Sequence, residues 1–240
     1  MNVIALVPLA DEDALHSGAP LLVHGEPLLS HAVHGLLDSG CVDRIVVAGP
    51  ARHRAVHGPG TPQLASDPRV TVVPTGSDGD PAGPGAMGLT PLRAALAAAD
   101  AGPDDVVLVH DVARAFVPAA VVREVVDAVA GEAVSGGAVA AVPVQPVADT
   151  VKVVDDDGIV RATRDRSHLR HVQTPLALRL ATLTDALTRD PAAELTTLLA
   201  DLAALGGEIR TVHGDPHGMR IRTPFDVAVI EALLTTENPA

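Results

Sequence analysis

Five short apolar runs, rich in valine, constrain the fold of this 240-residue chain more than any other feature. They occupy residues 3–7, 44–48, 70–73, 106–109 and 138–142, and each is bounded by glycine, proline or charge. Runs of this kind suit parallel strands covered on both faces, because a strand with one wet face would alternate apolar and polar residues. Helical patterns fall between them: 28–37, 91–99 with Pro91 in the first turn, and 118–130 with apolar residues at 121, 122, 125, 126 and 129. Alternating strand and helix predicts an α/β fold with a doubly wound, mostly parallel sheet that receives ligands at the C-terminal ends of its strands. A hydrophobic content of 47% over 240 residues supports a single domain spanning 1–240.

Two stretches break the alternation, 50–68 and 74–90. The second is rich in Gly and Pro with no Lys or Arg before Arg93, the composition of a functional lid or a disordered segment. Further on, 150–154 and 159–163 flank Asp155-Asp156-Asp157-Gly158, which reads as a hairpin turn between two strands. A calcium loop would need further oxygen ligands and a distal Glu at fixed spacing, and the sequence lacks them. The hairpin is expected to project as an arm, residues 149–171. After it the patterns predict helices near 176–187 and 193–205, strands at 208–212 and 219–222, and a last helix at 224–234.

A net charge of −13 argues against a nucleic-acid partner, as does the lack of Trp and Tyr, with Phe116 and Phe225 the only aromatic rings besides histidine. Cys41 stands alone, so no intrachain disulfide forms, and no apolar run approaches the roughly 18 residues of a spanning helix. Met1 leads directly into a strand without a basic segment. The expectation is a cytoplasmic protein with no membrane partner.

Candidate chemistry begins at His110-Asp111-Val112-Ala113-Arg114, directly after a buried strand. Asp111 could hold a metal or a hydroxyl and Arg114 could grip a phosphate with two donors; alternatively Asp111 caps the turn and Arg114 neutralises it. Arg161, Arg164, Arg166, Arg170 and Arg179 form a basic run opposed only by Asp165, either a phosphate site or a solvated face. Thr174 precedes Pro175 and reads as an N-cap or a ligand contact. His31 and His34 lack a third metal ligand nearby in sequence and read as structural. No Gly-x-Ser-x-Gly elbow is present.

In this order, several blocks resemble the 2-C-methyl-D-erythritol 4-phosphate cytidylyltransferase family, over nearly the whole chain. They are Ser30–Gly40, His110–Arg114, Pro143–Lys152, Asp165-Arg166 through Gln173-Thr174-Pro175, and Met219–Asp226. The resemblance implies a Rossmann-like nucleotidyltransferase that joins a sugar-alcohol phosphate to CMP from CTP, releases pyrophosphate, uses Mg²⁺ and serves isoprenoid precursor synthesis. It further implies a polyol-phosphate site of Asp111, Arg114, Thr150, Arg166, Thr174 and Arg220, the last standing where the family has Lys. In the family the arm is exchanged across a homodimer, so Thr150 and Arg166 would serve the neighbouring pocket.

The nucleotide side departs from the family pattern. Its first loop reads Pro-Ala-Ala-Gly-x-Gly-x-Arg and is followed by Pro-Lys, whereas here Pro8-Leu9-Ala10-Asp11-Glu12-Asp13-Ala14-Leu15 precedes Ser17-Gly18-Ala19-Pro20. From Met1 to Gly40 there are five acids and no Lys or Arg. The family's Gly-Gly block with Arg and Ser is replaced by the loop before Pro91, and its late acidic pair by Thr196-Thr197. Lost cations would weaken stabilisation of the α-phosphate and of departing pyrophosphate. CTP is therefore expected to bind poorly and catalysis to be impaired or lost, in a chain that forms a homodimer or a heterodimer with an active paralogue. The alternative is an active enzyme with a rearranged loop or another activated donor, including a loop in which Asp11 and Asp13 bind Mg²⁺.

Overall fold

The computed structural model describes residues 1–9, 15–16, 19–50, 67–75, 89–131, 138–189, 195–204 and 206–237. Strands β1 (Val3–Pro8), β2 (Arg44–Pro50), β3 (Val70–Thr75) and β4 (Val106–Val109) run parallel in the spatial order β4-β1-β2-β3. The fifth apolar run becomes β5 (Ala140–Pro146). Strands β6 (Val151–Val154) and β7 (Val160–Arg164) pair with each other as an antiparallel hairpin. The chain then returns as β8 (Arg170–Val172) and β9 (Leu176–Arg179), both antiparallel to β5, and β9 also pairs with β4. Strand β10 (Ile209–His213) lies parallel to β5 and completes an eight-stranded sheet.

The continuous apolar runs are explained by what covers each face. On β1, Val3, Ala5 and Val7 face one core while Ile4 and Leu6 face the other, and β2 and β4 alternate in the same way. The first core is closed by α1 (Leu28–Asp38), α3 (Ala119–Ala130) and Ile230 of α6 (Pro224–Glu237). The second takes Leu92 and Ala95 of α2 (Leu89–Ala97), with Leu183 and Leu187 of α4 (Leu180–Arg189) and Leu198 and Leu202 of α5 (Leu195–Ala204). With helices on both faces, every position of a central strand must be apolar, as the sequence requires.

The hairpin turn matches its composition. Asp155 Oδ1 accepts from the backbone N–H groups of Asp157 and Ile159, and Gly158 has φ +78°, a conformation that disfavours a side chain. The acid therefore serves the turn.

Three expectations are corrected. The predicted helix at 176–187 is two elements, β9 and α4, because Leu176, Ala177 and Leu178 are buried between β4 and β5 before the helix begins. Helix donors at that junction are satisfied locally, the N–H of Leu180 by Asp105 O and that of Ala181 by Pro103 O. Residues 219–222 form no strand; Ile221 is held by one N–H bond to Ala113 O and by burial. Thr174 opens no helix, since the chain after it enters β9. Most of 50–68 and of 74–90, and with them the lid-or-disorder expectation, lie outside the described residues.

Leu108 is fully buried at the middle of β4. Leu108→Ala should cost about 2–5 kcal/mol of unfolding free energy through lost burial and a residual cavity. Urea titration should show a lower midpoint with an unchanged slope.

Candidate active site

The C-terminal edge of β1 and β4 builds the centre of the site. His110 continues the ladder, donating its N–H to Leu6 O at 2.9 Å. The next residue, Asp111, turns the chain into a single 3-10 turn, Val112–Arg114, and caps it by accepting from the Ala113 N–H at 2.9 Å. A buried threonine from the β8–β9 junction braces this corner: Thr174 Oγ1 accepts from the Asp111 N–H at 3.1 Å and lies 3.2 Å from His110 Nδ1. Leu9 leaves β1 at its C-terminal end, with its N–H on Ala48 O of β2. Residues 10–14 themselves lie outside the described residues.

Two arginines converge on this corner by different means. Arg220 Nε reaches Asp111 Oδ2 at 2.9 Å, so the neutralising partner of Asp111 is Arg220. Arg114 instead donates Nη1 to Gly218 O at 2.6 Å and Nη2 to Val172 O at 3.1 Å. The expected Asp111 cap is present; neutralisation by Arg114 is replaced by this carbonyl fork. Burial depresses the Arg114 pKa most, Asp111 opposes that shift, and nearby Arg220 and Arg222 add to the depression. Among the described residues here, Arg114, Arg220 and nearby Arg222 outnumber the Asp111 carboxylate, in a chain of net charge −13.

The structure brings Asp111, Arg114, Thr174 and Arg220 together. It leaves Thr150 and Arg166 exposed on the arm. The basic run divides: Arg161 pairs with Asp155, Arg170 donates to Ser167 O and Leu169 O, and Arg179 reaches Asp104 O and Val129 O at the opposite sheet edge. Sequence reading missed Gln173, whose buried amide bonds both the N–H and the C=O of Asp215. The close glycines Gly214 and Gly218 were the available signal, because a Cβ on either would crowd that amide.

Asp111 fits a metal poorly, since one carboxylate oxygen caps a turn and the other faces Arg220. Among the described residues no three His, Cys, Asp or Glu side chains converge as metal ligands. His31 bonds Val23 O at 3.0 Å and its ring lies 4.7 Å from Phe116, in keeping with a structural histidine. Among the described residues no helix is long and apolar enough to cross a membrane.

Burial pushes the His110 pKa down to about 4, with Asp111 partly opposing and Arg114 adding to the shift. The unfolded histidine, with an ordinary pKa near 6.5, binds a proton in a range where the folded one does not. Its contribution to stability is therefore complete above about pH 6.5 and is lost as pH falls toward 4. Unfolding free energy should drop by about 2 kcal/mol from this group between pH 7 and pH 5. Urea titrations of wild type and His110→Gln at both pH values should show a shallower pH dependence in the variant.

Comparison with known proteins agrees with this fold. The family model for 2-C-methyl-D-erythritol 4-phosphate cytidylyltransferase matches residues 13–236. The chain is 44% identical to the protein of that name from Saccharopolyspora erythraea, over 98% of this chain and all of the relative. It is 40% identical to the one from Nocardia farcinica, over 97% of this chain and 94% of the relative. Among solved structures, a crystal structure of the Thermus thermophilus cytidylyltransferase superimposes with a TM-score of 0.69 at 28% identity, covering 97% of this chain and 98% of that one. A crystal structure of a 4-diphosphocytidyl-2C-methyl-D-erythritol synthase, 24% identical and covering 97% and 98%, gives a TM-score of 0.75 and supports the fold. By sequence over its whole length and by the mostly parallel sheet with flanking helices, this chain belongs to the 2-C-methyl-D-erythritol 4-phosphate cytidylyltransferase family.

Proposed function

We propose that this protein transfers CMP from CTP to 2-C-methyl-D-erythritol 4-phosphate in isoprenoid precursor synthesis. The observation that carries the reading is the convergence of Asp111, Arg114, Thr174 and Arg220 at the C-terminal edge of β4, where an α/β sheet receives its ligand. An oxygen of the polyol phosphate attacks the α-phosphorus of CTP, the α–β bridging P–O bond breaks, and pyrophosphate leaves with that bond's electrons. Arg114 and Arg220 hold the acceptor phosphate, and Asp111 orients Arg220 and the polyol hydroxyls. This is positioning and electrostatic work, the main contribution a protein makes to phosphoryl-type transfer. The described residues build no metal cage, so a divalent ion would enter with the nucleotide's phosphates, as magnesium commonly does.

Relatives 40–44% identical carry the name of the enzyme, and the comparisons give no support to lost catalysis. A second reading rests on Asp11, Glu12 and Asp13 and on the lack of Lys and Arg up to Gly40: a copy with a weak CTP site that lends its arm to an active paralogue. Pyrophosphate release separates the two. With CTP, Mg²⁺ and 2-C-methyl-D-erythritol 4-phosphate, the purified protein should release pyrophosphate and form the CDP-linked product. Retained binding of the polyol phosphate without turnover, and CTP affinity poorer than millimolar, would establish the second reading instead.

Arm exchange in a homodimer is supported by the family resemblance and by the exposed apolar residues Val154, Ile159 and Val160 on a two-stranded hairpin, an element marginal by itself in water. Thr150 and Arg166 then complete the neighbour's pocket. Arg114→Ala and Arg166→Ala should each weaken polyol-phosphate binding by about 1.5–3 kcal/mol. Mixing and re-equilibrating the two variants should restore one intact pocket per mixed dimer, seen by calorimetry as a tight-binding fraction; two variants that never complement would place both residues in the same subunit's site.

A further inference from the structure

Arg114 is held by two backbone carbonyls from distant segments, Val172 O and Gly218 O. The two carbonyls belong to β8 and to the turn after β10, and one side chain ties those segments together. Gln173, next to Val172, is buried, and its amide forms a reciprocal pair with the backbone of Asp215: Nε2 donates to Asp215 O at 2.8 Å and Oε1 accepts from the Asp215 N–H at 3.0 Å. Asp215 begins the 3-10 turn Pro216–Gly218, capping it through a bond from the His217 N–H to Oδ1 at 2.8 Å. The Gly218 N–H in turn donates to Asp215 O at 2.9 Å, the same carbonyl that Gln173 holds. Added Cβ atoms on Gly214 or Gly218 would meet the Gln173 amide, the first in outright collision and the second at 3.0 Å. Both glycines therefore admit the glutamine.

We propose that Gln173 is a positioning residue for the acceptor phosphate: it fixes the 214–218 turn against β8 and so sets where Arg114, and through the following residues Arg220, present their guanidinium groups. This rests on the proposed transferase reading. The side chain need touch no substrate, because its two polar atoms are already committed to Asp215. Its loss should release the acceptor side of the site and leave the nucleotide side alone.

The first measurement is on wild type, calorimetric binding of 2-C-methyl-D-erythritol 4-phosphate and turnover with CTP and Mg²⁺; failure there overturns the transferase reading whatever Gln173 does. With wild type active, Gln173→Ala should raise KM and Kd for the polyol phosphate at least tenfold, with KM for CTP within twofold. Gln173→Glu supplies a second readout, since an ionised carboxylate faces the Asp215 carbonyl without a proton to donate, while a protonated carboxyl has both a donor and an acceptor. The variant-to-wild-type ratio of Kd should be large at pH 8 and fall toward one at pH 5.5. Asp215, His217 and Arg114 surround this position and are common to both proteins, so the ratio isolates the substituted group. A Gln173→Ala variant that binds the polyol phosphate within twofold of wild type, or that loses both substrates equally, would overturn the proposal. If Gln173→Ala does not fold, a ratio for Gln173→Glu that stays flat with pH overturns it as well.

Discussion

The Arg114 guanidinium joins parts of the chain that sequence keeps far apart. Its two bonded carbonyls lie 58 and 104 residues away, on β8 and on the turn beyond β10. A planar guanidinium suits this role, because its fixed fork of donors reads the spacing of two acceptors at once, which a lysine ammonium would not. The Ile221 N–H closes the same junction on Ala113 O, and Arg220 closes it on Asp111. This corner of the candidate site is thus a backbone joint, with Asp111 and Thr174 bracing it from the sheet edge.

That arrangement explains why side-chain chemistry was legible in sequence and its support was not. The central strands could be read because helices cover both sheet faces, and only apolar residues satisfy that condition at every position. The acidic hairpin turn could be read because Asp155 and Gly158 meet local demands of four residues. By contrast, β9 and α4 share one uninterrupted apolar pattern, and a short buried strand cannot be separated from the first turn of a helix by periodicity. The same limit made 219–222 look like a strand when its order comes from one backbone bond and the burial of Ile221.

Thr174 illustrates how a residue's local role can be misread from sequence. Hydroxyl before proline suggested a helix cap, yet the hydroxyl braces the backbone of Asp111, 63 residues away in sequence. Arg179 shows the converse. It belongs to the basic run by sequence, but strand β9 is antiparallel to β4, so three residues of extended chain carry it from the site edge to the opposite edge of the sheet. Position along a strand decides which arginines can share a phosphate, and linear clustering does not.

Charge is distributed unequally over the two halves of the site. Among the described residues, the β4 corner gathers Arg114 and Arg220 near the Asp111 carboxylate, whereas the sequence from Met1 to Gly40 carries Asp11, Glu12 and Asp13 and no Lys or Arg. Burial strengthens the first of these, because Arg114 sits partly withdrawn from water, where its field is less screened. An acceptor phosphate would meet that field directly at the sheet edge.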